Sequence, residues 1–236
     1  MTSMSTLLAS CDETYFTKHA SAFIKTAELH GEHVWINLVA PEDQHKDLIK
    51  RYGSSSYILT CSDGPAKATS DYDRAFFARS RFTKQVLSRV FDSFDEVLIL
   101  DIDCFLRGSI EWTDFADVDY SLFLRDPLNG TVGWEMEGSR VAAGAVYFRD
   151  TSLSFLNVLQ NMFEVHKPIW FIDQYCLYQV HKHFETNQLP LTFCQMPQKY
   201  IDWEFNPDTI IWTGKGARKT STEYLFARET ETNKNR

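Results

Sequence analysis

Residues 97–103, with the sequence VLILDID, constrain the fold of this chain more than any other segment. Four consecutive β-branched or leucine residues are too few for a helix and predict a strand buried on both faces, as in a parallel sheet. The carboxyl end of such a strand lies at the edge where open α/β sheets bind ligands. Asp101 and Asp103 follow it, and their like charges predict a hard divalent cation with coordination positions left for phosphate oxygens. Alternatively, both aspartates only end the strand and cap the turn to Arg107.

A formal net charge of −8 at pH 7 restricts the classes of partner that this chain can bind. General binders of nucleic acid or of anionic membranes carry a positive surface, so neither class is expected. An acidic protein that binds an anionic nucleotide needs local positive charge, and a divalent cation at Asp101 and Asp103 would supply it. The length of 236 residues and the hydrophobic content of 44% predict one large domain, or one domain with a small appendage.

The five cysteines are widely spaced, and no CxxC or cysteine–histidine zinc pattern is present in the sequence. Reduced and mostly buried thiols are therefore expected. The N-terminal residues show no basic segment followed by an apolar one, and no apolar run reaches membrane-spanning length. These features predict that the chain has no transmembrane segment and lies in the cytoplasm.

Strand-like and helix-like patterns alternate along the first hundred residues. The periodicity predicts strands at 4–10, 34–39, 57–60 and 97–100, and helices at 14–29, 41–52 and 71–90. Further on it predicts strands at 120–124, 145–148, 191–194 and 209–212, and helices at 151–165 and from Asp173 onward. The order is typical of a single α/β domain whose mostly parallel central sheet is flanked by helices.

Two segments are predicted to lie outside this regular framework. Residues 129–144 are rich in glycine and are interpreted as a mobile loop over the site. Residues 219–236 are polar and are expected to form a frayed tail, either disordered or a linker to a further domain. The folded domain is therefore predicted to span residues 1–218.

A second candidate site follows the first predicted strand, where residues 7–15 read LLASCDETY. The carboxylate of Asp12 is suited to accept a hydrogen bond from a nucleobase N–H, and Tyr15 offers a ring face for stacking. An ordinary helix N-terminus explains the same residues equally well, because Asp and Thr are good capping residues.

Three cations lie within six positions on the helix that precedes the Asp101 strand, namely Arg79, Arg81 and Lys84. The planar guanidinium group of arginine suits the oxygens of a diphosphate or a ribose. At least one of the three is expected to belong to a solvated basic face.

The order of these motifs resembles that of the GT-A glycosyltransferases, most closely glycosyltransferase family 8, the glycogenin-like and bacterial lipopolysaccharide galactosyltransferase-like enzymes. The resemblance spans nearly the whole chain in the family's order. The matching positions are Asp12 and Tyr15, Ala78-Arg79, the DxD motif at 101–103, Gly144-Ala145-Val146, Asp173-Gln174 and Gly214-Lys215. The fold that it implies is the GT-A, Rossmann-like α/β fold.

The resemblance also implies a function, namely metal-dependent transfer of a hexose from a nucleotide diphosphate sugar, most commonly a UDP-sugar. The acceptor would be a hydroxyl of a glycan or another molecule, and the anomeric configuration would be retained. Asp101 and Asp103 would hold Mn²⁺ or Mg²⁺ against the diphosphate. By the same resemblance, the nucleotide would contact Ser10, Asp12, Tyr15, Arg79, Ile102 and Lys215, the sugar would contact Asp101, Gly144 and Asp173, and Asp173 and Gln174 would be catalytic. Arg79 would reach the sugar or diphosphate, and Lys215 the leaving phosphate.

Two positions depart from the family pattern. Ala142 and Ala143 stand where the family usually has an asparagine before the strand glycine, which removes an amide that would contact the sugar. Trp212 is the nearest counterpart of the family's third metal ligand, a histidine, and no histidine follows His183. The departures imply weaker metal binding or a different sugar.

Other functions share part of this pattern. A phosphatase of the haloacid dehalogenase type also places DxD after an apolar strand, but Cys104 follows here in place of the usual Thr or Val. A sugar nucleotidyltransferase needs a glycine-rich loop after the first strand, and residues 8–15 contain no glycine. A nucleotide-sugar-binding domain without turnover is a further alternative. Asp173 could also serve as the general base of an inverting enzyme.

Overall fold

The structure, a computed structural model, describes residues 4–214 and 216–234 of the chain. The strands are β1 (Ser5–Cys11), β2 (Val34–Ala40), β3 (Ile58–Asp63), β4 (Glu96–Leu100), β5 (Cys104–Leu106), β6 (Tyr120–Leu124), β7 (Val141–Arg149), β8 (Phe193–Gln195) and β9 (Ile211–Thr213). The α-helices are α1 (Glu13–Leu29), α2 (His45–Tyr52), α3 (Asp71–Ser80), α4 (Lys84–Phe91), α5 (Trp134–Gly138), α6 (Leu153–Val165), α7 (Ile172–Thr186) and α8 (Thr222–Asn233).

Seven strands form the central sheet in the order β3-β2-β1-β4-β7-β6-β8. The pairs β3–β2, β2–β1, β1–β4 and β6–β8 are parallel, whereas β7 is antiparallel to both of its neighbours. The carboxyl ends of β1, β4 and β6 therefore lie along one edge of the sheet, together with the amino end of β7. The prediction of a mostly parallel central sheet is confirmed.

The strand before the DxD motif is buried on both faces, as its apolar run predicts. Leu98 and Leu100 face a layer that contains α1, whereas Val97 and Ile99 face a layer that contains α4, α6 and α7. All four side chains are inaccessible to solvent. Because both faces are covered, Asp101 emerges from β4 directly at the edge of the sheet.

The predicted helix at 71–90 is wrong in one respect, because the segment forms two helices, α3 and α4, with a break at Arg81–Thr83. Thr83 adopts an extended conformation as the N-cap of α4, and its hydroxyl donates to the Ser80 carbonyl over 2.9 Å. Phe82, in the break, is fully buried. The spacing of Phe82, Val86 and Val90 suits a single helix. In the structure, however, Thr83 takes the N-cap position of α4, so a new helix begins there.

Two segments predicted to be irregular contain regular structure. Residues 129–144 include α5, and β7 begins at Val141 rather than at Ala145. The described part of the predicted tail includes α8, which packs through Tyr224 against Phe105 of a small sheet formed by β5 and β9. Within the described residues, this stretch belongs to the same packed unit and is not frayed.

Two further predictions concern the cysteine thiols and membrane-spanning segments. All five cysteines are free, and four of them are buried, as predicted. In the described part of the chain, every helix is too short or too polar to cross a bilayer.

Candidate functional site

A cavity of about 970 Å³ opens at the sheet edge where β1, β4 and β6 end. The structure brings nine of the predicted site residues together in its lining, namely Ser10, Asp12, Tyr15, Asp101, Ile102, Asp103, Gly144, Asp173 and Gln174. Arg79 is not among the lining residues, and Lys215 lies outside the described residues. The volume is in the range of pockets that bind small molecules and cofactors.

Arg81 joins the first aspartate of the DxD motif to the first turn of α7. Its guanidinium donates to Asp101 and to the Ala143 carbonyl, the latter over 2.9 Å, and lies 3.7 Å from Asp173. The Arg81 side chain is buried, which opposes its charge, but the adjacent Asp101 and Asp173 carboxylates raise its pKa above the ordinary value. Arg81 is therefore a permanent cation in this wall of the cavity.

Lys219 pairs with the second aspartate of the motif. Its Nζ lies 2.7 Å from Asp103 Oδ2, 3.4 Å from the Tyr15 hydroxyl and 5.5 Å from the centroid of the Tyr15 ring. Burial raises the pKa of Asp103, and Asp101 adds to the rise, whereas Lys219 opposes it. Burial by itself would lower the pKa of Lys219, but Asp103 outweighs it and raises that pKa.

The C-terminal helix places Lys219 over the DxD motif. Ser221 caps α8 by accepting from the Tyr224 N–H over 3.2 Å. The Tyr224 ring packs 5.3 Å from the Phe105 ring, and its hydroxyl donates to the Asp103 carbonyl. Gly214 permits the approach, because a Cβ there would lie only 2.6 Å from the Lys219 Cβ.

Arg79 faces away from the cavity, unlike the prediction. Its guanidinium donates to the Phe163 carbonyl over 3.0 Å and lies 5.1 Å from the Phe76 ring centroid. The break after α3 turns the chain, so that Arg81 rather than Arg79 reaches the carboxylates. The sequence contains the relevant signal, because Thr83 is a common N-cap residue and stands before the apolar residues of α4.

The residues at the end of β1 and the start of α1 that were predicted to bind the nucleotide have structural roles. Asp12 caps α1, since its Oδ1 accepts from the Tyr15 N–H over 2.7 Å. Its Oδ2 accepts from the Ala68 N–H, in the segment before α3, over 3.2 Å. The Ser10 hydroxyl lies 2.8 Å from that of Ser80. Tyr15 is 41% exposed. This end of the cavity therefore offers an aromatic face beside a carboxylate already engaged by backbone N–H groups.

The first turn of α7 points a polar pair into the cavity. Asp173 is buried beside Arg81, and burial raises its pKa despite that cation. The Gln174 Oε1 is buried without a hydrogen-bond partner among the described residues. An unpartnered buried acceptor is costly, and the Gln174 side chain that carries it is among the residues that line the cavity.

The carboxylates of Asp101 and Asp103 are the hard oxygen donors that a divalent cation would use at this site. Among the residues that the structure describes, no three His, Cys, Asp or Glu side chains form a metal-binding group. Trp212, at the position of the family's third ligand, packs on Phe105 and Phe205 instead. Ions of the Mg²⁺ type often use one or two carboxylates and take their other ligands from phosphate and water, so Asp101 and Asp103 suffice as hard donors. Such an ion would displace Lys219 from Asp103.

The charge of the lining differs from that of the whole chain. Six cations line the cavity within the described residues, against four acids, although the chain carries a net charge of −8. The cations are Lys67, Arg74, Arg81, Arg125, Arg218 and Lys219, and the acids are Asp12, Asp101, Asp103 and Asp173. A local excess of positive charge in an acidic protein favours an anionic ligand.

Comparisons with known proteins agree with this architecture. No protein-family model matches the chain, and no curated protein matches it in sequence. One solved structure that matches is a glycosyltransferase involved in the glycosylation of the major capsid of PBCV-1. The two chains share a fold. The TM-score is 0.51 at 14% sequence identity, and the match covers 96% of this chain and 99% of the other. The predicted α/β fold of the GT-A, Rossmann-like type is thus supported, whereas membership of family 8 stays a prediction.

Proposed function

We propose that this protein is a glycosyltransferase that moves a hexose from a nucleotide diphosphate sugar, preferably a UDP-sugar, to an acceptor hydroxyl. One observation carries the proposal. Asp101 and Asp103 lie at the carboxyl end of a central strand, in one cavity with an exposed aromatic ring and an excess of cations. The fold in which this cavity lies resembles that of a glycosyltransferase.

The donor would lie along the sheet edge. We place its base against Tyr15, with Ser10, Asp12 and Ile102 around the nucleoside, because all four line the cavity and three of them lie at the junction of β1 and α1. The diphosphate would then reach Asp101 and Asp103, and Lys219 is within the cavity to meet it. Lys215 stays a proposed phosphate contact from sequence alone.

We further propose that Asp101 and Asp103 hold Mn²⁺ or Mg²⁺. When bound, such an ion supplies positive charge that stabilises the departing nucleoside diphosphate. The chain's own cations act beside it: Arg81 keeps Asp101 and Asp173 in place, and Lys219 moves from Asp103 to the phosphate oxygens. The donor's charge is in this way balanced partly by side chains.

The transferred sugar would lie beside Gly144, Asp173 and Gln174. The side-chain amide of Gln174 would hydrogen-bond a sugar hydroxyl, since Gln174 lines the cavity beside Asp173. The acceptor hydroxyl oxygen bonds to the anomeric carbon as the bond from that carbon to the phosphate oxygen breaks. The electron pair of that bond stays on the departing nucleoside diphosphate, and the hydroxyl proton passes to a phosphate oxygen of the same leaving group. We propose retention of configuration on the family resemblance, and the enclosure of Asp173 by Arg81 favours positioning of the sugar over proton abstraction.

One structural feature favours a second candidate, a domain that binds nucleotide sugars without turnover. Both DxD aspartates already have a cationic partner, Arg81 for Asp101 and Lys219 for Asp103. A metal ion must compete with Lys219 for Asp103, whereas the diphosphate of a nucleotide sugar could bind the side-chain cations without that displacement.

The test is release of nucleoside diphosphate from a panel of UDP- and GDP-sugars in the presence of Mn²⁺. The expected result is release from at least one donor, lost in Asp103→Asn and kept in Asp117→Asn, which removes the same charge from an exposed position. Binding of donors without any release would favour the non-catalytic domain. Phosphate release from phosphate monoesters, with no reaction on nucleotide sugars, would instead support a phosphatase and refute the proposal.

A further inference from the structure

The cavity extends past the proposed sugar position to a second group of charged side chains. Along the sheet edge, the lining residues follow the strand order, with Asp12 after β1, Asp101 after β4, Gly144 in β7 and Arg125 after β6. Neighbouring strands lie about 4.8 Å apart, so Arg125 is about 10 Å beyond the strand of the DxD motif. Base, diphosphate and transferred sugar would occupy the first three positions, which leaves the fourth for the acceptor.

We name this fourth position the arginine end and define it by Arg125, Leu128, Trp203 and Arg218. The Arg125 guanidinium lies 5.6 Å from the Trp203 ring centroid. The Nη1 of Arg218 donates to the Trp203 carbonyl over 2.6 Å. None of the four acids that line the cavity belongs to this end, since they follow β1 and β4 or lie on α7.

Arg125 differs from Arg81 in the way its charge is balanced. Its Nε donates to the Ser139 carbonyl over 2.8 Å, and no Asp or Glu of the described chain forms an ion pair with it. Burial lowers the pKa of Arg125, and no acid opposes that effect. A half-buried guanidinium without a counter-ion is better stabilised once an oxyanion pairs with it.

We propose that the arginine end is the acceptor subsite and that the acceptor is a sugar bearing an oxyanion, either a carboxylate or a phosphate. This inference rests on the proposed glycosyltransferase function. The oxyanion pairs with Arg125, and the apolar face of the sugar ring packs on Trp203. The hydroxyl that accepts the transferred hexose then points back along the sheet edge toward Gln174.

A purely structural role for Arg125 makes a different prediction. Arg125 bridges the Ser139 carbonyl and the Trp203 ring, so it could simply hold two loops together. Loss of such a brace would impair all acceptors equally. Recognition of an oxyanion would impair acidic acceptors selectively.

The experiment measures transfer to an array of neutral, uronic-acid-containing and phosphorylated glycans. The donor is a nucleotide sugar from which the protein releases nucleoside diphosphate. The wild type is expected to prefer one acidic class about tenfold or more in kcat/KM, mainly through KM, as a charge-assisted hydrogen bond would give. Arg125→Gln should remove that preference, and Arg125→Lys should restore part of it. Comparison of kcat/KM between uronic-acid-containing and phosphorylated glycans identifies which oxyanion Arg125 recognises.

Arg107→Gln is the matched control. Arg107 also lies over a tryptophan, 4.3 Å from the Trp212 ring centroid, and donates to backbone carbonyls, but it is outside the cavity lining. The control should keep the acidic preference. Equal use of neutral and acidic glycans, transfer to no glycan, or an equal loss for all acceptors in Arg125→Gln would overturn the proposal. Failure of the glycosyltransferase function itself is recognised separately, because no nucleotide sugar would then be hydrolysed without acceptor.

Discussion

The two cations that neutralise the DxD motif are held in different ways. Arg81 lies between two helices of the folded core, is buried, and contacts Asp101, Asp173 and a backbone carbonyl. Lys219 lies on a short turn before α8, and 28% of its side chain is exposed. The first cation belongs to the scaffold, whereas under the proposed function the second leaves its carboxylate when a ligand binds. Asp101 thus has a fixed cationic partner, and Asp103 has an exchangeable one.

The largest effect is expected from Arg81→Met. The variant removes the Arg81 partner from the buried Asp173 and from the partly exposed Asp101, so the free energy of unfolding should fall by about 3–5 kcal/mol. Chemical denaturation measures it. Arg74→Met is the control, because Arg74 pairs with Asp71 at the surface and should change stability little. Equal stability of both variants would contradict the assignment of Arg81 to the scaffold.

A smaller loss is expected from Lys219→Met. The pair with Asp103 is partly screened by solvent, so the free energy of unfolding should fall by about 1–2 kcal/mol. Because Lys219 no longer competes for Asp103, Mn²⁺ should bind this variant several-fold more tightly than the wild type. Electron paramagnetic resonance of free Mn²⁺ measures the change. Weaker Mn²⁺ binding would show that Lys219 and the metal do not share the carboxylate.

Tyr224→Phe tests the anchor of the exchangeable cation. The substitution keeps the ring against Phe105 but removes the hydroxyl that donates to the Asp103 carbonyl, so a loss of about 1 kcal/mol is expected. Thermal unfolding measures it. Tyr72→Phe removes a hydroxyl from a tyrosine that is 52% exposed and should have no effect. If the two variants behave alike, α8 does not fix the DxD turn.

A separate prediction concerns the pH dependence of stability near Lys219. Burial, assisted by Arg228, Lys18 and Lys219, lowers the pKa of His19 to about 4. A lowered pKa means that the folded state binds fewer protons, so the stability due to neutral His19 is complete above pH 6.5 and decreases as pH falls toward 4. The wild type should lose more stability in that interval than His19→Gln. His183→Gln, at an exposed histidine, should follow the wild type.

The fixed and exchangeable parts also differ in how far the sequence predicts them. The buried strand before Asp101 was predictable, because a short apolar run that ends in acids has few other structures. The positions of Asp12 and Asp101 at one cavity follow from the direction of β1 and β4, whereas Asp173 was assigned to the site by the family resemblance. Predicting that Asp12 and Asp101 lie at the same edge of the sheet needed no knowledge of side-chain contacts.

The cationic partners were not predictable from the same patterns. The choice of Arg81 over Arg79 depends on a helix break at Thr83 that periodicity does not reveal. Lys219 meets Asp103 across 116 positions of sequence, and α8 packs through the fully buried Tyr224 while its Leu225 and Phe226 stay exposed. Contacts of such separation depend on tertiary packing rather than on local propensity.

The most direct test of the central claim is calorimetric titration of UDP into the protein with and without Mn²⁺. If Asp101 and Asp103 gather a cation that binds a diphosphate, Mn²⁺ should tighten UDP binding by about tenfold or more, equivalent to about 1.4 kcal/mol. Asp103→Asn should remove this gain, and Asp117→Asn should keep it. Equal affinity for UDP with and without Mn²⁺, or a full gain in Asp103→Asn, would contradict the account.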